Sequence, residues 1–317
     1  MTNSEPEEQE YDWGSDGSDP HKTVRAHVEA ALIPTSGEYP PPLDQLLALG
    51  SPLEQDDIQA RIKQLGVTQE HVPDLVRMAR DRALNTMDSE SAAVWAPIHA
   101  IVALAGLDVS AHAAELVPLF DVDSEWFGED LPDILGQVGM PALEPLRQYV
   151  QDNTRWQYGR WNAGTALEKL GQQHPELRDP VIHILSDALE HAAENTPDTN
   201  GFFLANLLHL QAVEALPVIR RVFEQDAIDE SIAGDWGEVQ KALGQKVDQH
   251  DPLYQRWHQR RSAKTAEMRA MFPPEFGVSD PLFEKAPLKG KSAVSKHKTK
   301  RKASSAARKA NKKKKRK

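Results

Sequence analysis

The sequence predicts an all-α fold: an α-solenoid of about five helical hairpins closed by a C-terminal capping helix. Three observations carry this. Apolar residues recur at helical spacing through the middle of the chain, helix-ending glycines return at a near-constant interval, and prolines set early in helical patterns return at the same interval. Alternating strand patterns are nearly absent.

Residues 1–42 are rich in Glu, Asp, Ser, Gly and Pro, offer few apolar positions to bury, and end in Tyr39-Pro40-Pro41-Pro42, so most of this acidic segment is expected to be disordered. Helical signals begin at Ser51-Pro52-Leu53-Glu54, a capping box with proline at the first helical position, leading into Ile58, Ile62 and Leu65 and ending at Gly66. From there helix-ending glycines stand at Gly66, Gly106, Gly139, Gly171 and Gly244, with Gln211 after Leu210 filling the gap, at intervals of 40, 33, 32, 40 and 33 residues. Pro73, Pro118, Pro145, Pro180 and Pro217 form a second series with a mean interval of 36. Each unit reads as a helix, a turn at the glycine, and a second helix whose early proline costs little because first-turn amides lack intrahelical acceptors.

The faces agree with that reading. Ala163, Ala166, Leu167 and Leu170 form one stripe on a first helix, and Leu177, Val181, Ile184, Leu185 and Leu189 form one on its partner. Neither helix could bury its stripe alone, and stacking on the next pair supplies cover at roughly 1.5–3 kcal/mol per large aliphatic side chain. After Gly244, Asp251-Pro252 and the pattern Tyr254, Trp257, Met268, Phe272 predict a long closing helix, so the repeat region spans 43–272. Residues 273–317 are too charged and too poor in apolar side chains to fold alone and form a basic tail.

Helix pairs of this period, with the terminal glycine and the early proline, resemble HEAT repeats, in particular the short HEAT-like repeats of phycobilisome lyases, over about residues 54–244. Segments such as Trp95-Ala96-Pro97-Ile98-His99-Ala100, Arg160-Trp161-Asn162-Ala163 and Gly234-Asp235-Trp236-Gly237-Glu238-Val239 also resemble an uncharacterised bacterial family with such repeats. The resemblance implies a stacked fold and leaves function open, because a fold hosts many functions.

The formal net charge of −11 conceals a segregation. Of 37 Lys and Arg, 16 lie in residues 285–317, which hold no Asp or Glu; the first 284 residues keep 21 basic against all 48 acidic side chains. There is no run of about 18 apolar residues, which argues against a membrane span, and no charged-then-apolar amino terminus. The absence of cysteine excludes disulfides, thiolate metal sites and cysteine nucleophiles, and fits a cytoplasmic protein. In a eukaryote the basic run would equally suit nuclear import.

Catalytic patterns are missing. The 12 histidines include no HExxH; His183/His191 and His250/His258 are eight apart, too far for one helical turn. Neither a nucleophile elbow nor a P-loop occurs, so no catalytic residue, metal or cofactor is expected. Binding candidates are the aromatic and acidic cluster with Trp126, Glu129 and Asp130, and the pairs Arg160-Trp161 and Asp235-Trp236, since Trp and Arg are favoured interface anchors. Their structural alternative, rings plugging gaps between repeats and carboxylates capping helices, stands ahead of that use.

In the tail, Lys296, Lys298, Lys300, Arg301, Lys302, Arg308, Lys309, Lys312, Lys313, Lys314, Lys315, Arg316 and Lys317 suit phosphate contact with RNA, a ribosome or another polyanion, without base stacking, as no aromatic residue follows Phe283. The expectation is a non-catalytic adaptor whose curved repeat surface takes a protein or peptide, a basic one by charge, and whose tail tethers it. The alternatives are a ligand-binding or lyase-like protein with a pocket between repeats, and a tail that serves as internal ligand of the acidic body.

Overall fold

A computed structural model describes residues 20–34, 38–54, 57–88 and 90–271. The described residues are helical, with no strand and an isolated bridge between Ile33 and Asp81. The described residues divide into two compact units, one from 20–134 with 152–163, the other from 135–151 with 164–271.

The first unit opens with α1 (Pro20–Ala31), which lies inside the segment the sequence assigns to disorder. Val24, Val28, Ala31 and Leu32 share one face at helical spacing, and Ala31 and Leu32 are buried. That short stripe is diluted among acidic and proline-rich neighbours, which is why composition alone misses it. Arginines fasten the helix end: Arg80 Nε donates to Ala31 O at 3.0 Å and Arg82 Nη2 to Glu29 O at 2.7 Å, satisfying carbonyls that lack helical partners. Beside them the buried Asp81 accepts from Tyr39 OH at 2.7 Å.

Next comes α2 (Ile58–Gln64), and here the sequence misplaces the start. Pro52–Glu54 makes a separate 3-10 turn, while Asp57 caps the helix by accepting from Ala60 N at 2.9 Å. Then follow α3 (Val72–Ala79), α4 (Arg82–Asn85), α5 (Ala96–Leu104) and α6 (Ala113–Leu116). Packing of α3 on α5 forms the centre of this unit, with Leu75, Met78, Ala79, Ala100, Ile101 and Leu104 all fully buried.

Three longer helices come next: α7 (Glu125–Val138), α8 (Met140–Gln151) and α9 (Gln157–Gln173). In the first unit α7 approaches α9 so closely at Gly128 that a Cβ there would lie 2.7 Å from Asn162 Nδ2. The second unit continues with α10 (Arg178–Glu190), α11 (Pro197–His209), α12 (Leu216–Glu224), α13 (Glu230–Ala233), α14 (Trp236–Ala242) and α15 (Pro252–Met271). Within it α10 packs on α8, α11 and α12, α11 packs on α13, and α14 on α15. The two predicted stripes are buried throughout, none of their nine side chains being more than 4% exposed.

The glycine series holds in part. Gly66, Gly139 and Gly244 adopt φ of +77, +79 and +68° after helix ends, and Gln211 takes the same left-handed conformation at +52°. Gly171 does not end a helix; it lies within α9, where a Cβ would stand 3.1 Å from Leu210. Pro73 and Pro217 sit in the first turns of α3 and α12, whereas Pro145 is inside α8, whose own early proline is Pro141.

A second set of glycines has a more regular period. Gly128, Gly164, Gly201 and Gly237 are spaced by 36, 37 and 36 residues. At each, a Cβ would press on a later helix or the turn before it: on Asn162, on Asn206 at 2.6 Å and Phe203 at 3.2 Å, on Ile232 at 3.0 Å, and on Tyr254 at 2.6 Å. The predicted closing helix is present as α15; Asp251 Oδ1 accepts from Leu253 N at 2.9 Å, and Leu253 and Trp257 are buried.

Candidate functional site

Of the sequence-derived candidates Trp126, Glu129, Asp130 and Trp161 are half-buried, and Arg160, Asp235 and Trp236 are buried. In the first unit Trp126, Glu129 and Asp130 are half-buried on α7, while Arg160 and Trp161 lie on α9, Arg160 with only 4% exposure. The close contact at Gly128 puts the starts of these helices in one neighbourhood. Trp161 stands 4.6 Å from Tyr158, itself 5.2 Å from Trp156, and Tyr158 is 47% exposed, so an aromatic face reaches the surface at the start of α9. Behind it the buried Asp121 accepts from Arg155 Nη1 at 2.7 Å. Burial acts against the Arg155 charge, but the hydrogen bonds and charges of Asp121 and Asp152 outweigh it and raise its pKa.

In the second unit Asp235 and Trp236 are structural. Asp235 Oδ1 accepts from Glu238 N at 3.0 Å and Glu238 Oε2 accepts from Asp235 N at 3.2 Å, a capping box for α14. Trp236 is 3% exposed, packed at 5.7 Å from the Phe223 ring, with its indole N–H donating to Asp251 at 3.3 Å. A ring so placed fills the core and cannot anchor a partner. The lysines and arginines of the tail, Lys296 to Lys317, lie outside the described residues, as do residues 1–19.

One surface that sequence reasoning did not single out is an open groove of about 460 Å³ in the second unit, between α10 and α12. Ile182, Ala215 and Val218, all buried, form an apolar floor; Asp179, His183, Glu190, Glu214 and Arg221 stand around it. Arg178 fixes the geometry at one end, donating to Glu214 at 2.7 Å and to the carbonyls of Leu210 and Gln211, both at 3.1 Å, which close α11. Burial pushes the Glu214 carboxyl up, yet the hydrogen bond and charge of Arg178 more than compensate, so it stays ionised at neutral pH. At the other end Arg221 pairs with Glu190. The signal was available in the sequence: residues 179–219 contain six Asp or Glu and no Lys or Arg.

The histidine pairs are dispersed surface groups. His183 faces Asp187 at 3.5 Å, His191 Nδ1 lies 2.9 Å from Asp187 O, and His258 stacks on Tyr254. Among the described residues no group of three or more His, Asp or Glu could hold a metal ion, and no helix is long and apolar enough to cross a membrane. The chain matches no family model, and neither the curated proteins nor the solved structures include a match to it.

Proposed function

We propose that the protein is a non-catalytic adaptor: a stack of HEAT-like helical hairpins that offers a helical surface to a lysine- or arginine-rich protein segment, while its basic tail tethers it to RNA or another polyanion. Segregation of charge is the observation that carries this. Residues 83–146 hold 11 Asp or Glu and no Lys or Arg, the α10–α12 segment repeats that bias, and residues 285–317 invert it with 16 Lys or Arg and no acid. Single-sign fields of this kind steer oppositely charged partners and speed their encounter.

The stacked arrangement is supported by the four glycines spaced 36, 37 and 36 residues apart, each pressed by a later segment, because a repeat needs the same close approach at the same place in every unit. Within the second unit the α10–α12 groove is the surface best suited to the partner, its apolar floor bounded by Asp179, Glu190 and Glu214 with Arg221 the one arginine or lysine in the lining. The tether is tested by titrating salt against RNA binding for the full chain and for one ending at residue 284. A steep loss of affinity with salt is expected for the former and weak, flat binding for the latter. Equal affinity of the two chains would remove the tether.

A further inference from the structure

We propose that the α10–α12 groove is occupied, when no partner is bound, by residues 285–295 of the same chain, so that the basic tail is an intramolecular latch on its own docking surface. This rests on the groove being a site for basic segments. Three observations favour the tail as occupant.

The first is chemical fit. The groove pairs an apolar floor of Ile182, Ala215 and Val218 with the carboxylates Asp179, Glu190 and Glu214, which outnumber by one the arginines, Arg178 and Arg221, that pair with them. Residues 285–295 read Lys-Ala-Pro-Leu-Lys-Gly-Lys-Ser-Ala-Val-Ser, so Leu288 and Val294 can cover the floor while Lys285, Lys289 and Lys291 face the rim, and the segment carries no acid to repel it. The rest of the tail, Lys296 to Lys317, has charge but only alanines for apolar side chains, which is why the contact is assigned to the first stretch.

The second is where the described chain ends. α15 lies against the C-terminal end of α12: Trp257 is 1% exposed and edge-on to Phe223 at 5.2 Å, its indole N–H points at Phe223 O, and Arg260 makes a two-pronged pair with Asp226, one bond being 2.9 Å. The tail therefore leaves from the helix that already covers one end of α12. The third is length. From Met271 to Lys285 there are 14 residues, enough to span about 45 Å when extended, whereas α15 runs only about 16 Å beyond Arg260. A tethered segment within reach acts at an effective concentration on the order of millimolar, so even a weak fit is populated.

Such a latch would couple the two ends of the adaptor. A basic partner must displace the seated stretch to enter the groove, and displacement adds Lys285, Lys289 and Lys291 to the side chains free to meet phosphate. The coupling is reciprocal by necessity: a polyanion that captures the tail opens the groove.

Because the chain has no cysteine, an engineered pair reports this contact without background. The full chain carrying Ser186→Cys and Val294→Cys is oxidised under mild exchange conditions and compared with the full chain carrying Ser186→Cys and Ser305→Cys. A seated segment brings the first pair within disulfide range, and its monomeric cross-link should form at least about tenfold faster than the second. Adding Leu288→Asp, or raising the salt, should abolish the difference. His183→Cys, exposed on the same wall, provides a second groove position should Ser186→Cys perturb α10. Equal rates for near and far tail cysteines overturn the latch, and so does a product that is chiefly dimer, which would assign the groove to a second copy. Neither outcome touches the tether, whose RNA affinity is read separately.

Discussion

At the scale of single residues, two histidines illustrate how burial and pairing set opposite pH responses. His99 is fully buried, with Nε2 2.8 Å from Gly50 O and no partner for Nδ1. Burial lowers its pKa below the ordinary 6.5, against a smaller raising effect from Gly50 O. The unfolded chain then takes up the proton first, so this site's contribution is complete above pH 6.5 and is lost as the pH falls below it. His209 bonds Glu168 at 2.9 Å, which raises its pKa, so its contribution is complete below 6.5 and is lost as the pH rises through the folded value. Urea titrations between about pH 5 and 8 should show the cost of His99→Gln shrinking toward acid and that of His209→Gln shrinking toward base. Parallel curves for the two variants would refute the assignment. Glycine offers a second residue-level contrast. Gly164→Ala must force its Cβ against the buried Asn206 and Phe203 and should cost about 1–3 kcal/mol, while Gly106→Ala meets nothing within 4 Å and should be neutral or slightly stabilising.

At the scale of elements, the sequence was most legible where one local rule acted alone. Pro73 and Pro217 open α3 and α12 because a first-turn proline loses no hydrogen bond, and the α9 and α10 stripes are buried because no other face of those helices is apolar enough. It was least legible where two signals competed. Ser51 caps only the 3-10 turn at Pro52–Glu54, accepting from Leu53 N at 3.3 Å, while Asp57 lies nearer the apolar run and caps α2. Gly171 has the residue type of a helix end, yet α9 continues through it with Leu210 close by. Trp126, Trp161 and Trp236 are the conspicuous recurrence in the sequence, whereas the close approaches lie at the neighbouring glycines Gly128, Gly164 and Gly237, which show only when the facing segment is placed. Gln211 stands in a position that glycine holds after other helices and can be tested there. Its left-handed φ of +52° carries roughly 1 kcal/mol of strain that glycine would release, offset in part by the side-chain bond to Leu208 O, so Gln211→Gly should leave the thermal midpoint equal or higher. Asp251 binds three groups at once, Arg220 at 2.6 Å, the Trp236 indole and the Leu253 amide, and Asp251→Ala should cost about 2–4 kcal/mol, with faster amide exchange concentrated in α14 and α15.

At the scale of the whole molecule, composition is most informative through charge, because most ionisable side chains stay at the surface whatever the fold, the buried Asp81, Asp121 and Arg160 being exceptions. Burial removes Trp236 and Arg160 as surface anchors, whereas the charge bias of the α10–α12 groove is visible in the sequence and only its shape needs the fold, its walls being some 35 residues apart. If the tail both binds phosphate and closes that groove, RNA affinity must depend on residues that touch no RNA. Neutralising Lys312–Lys317 should reduce the slope of log affinity against log salt by up to about 4 for a single strand, the effect of removing phosphate contacts. Leu288→Ser with Val294→Ser removes no charge, yet by weakening the closed state it should raise RNA affinity in low salt, and the gain should vanish in high salt, where the latch is already open. Measured by fluorescence anisotropy on the full chain, an unchanged affinity for this double variant would mean that the tail and the groove act independently.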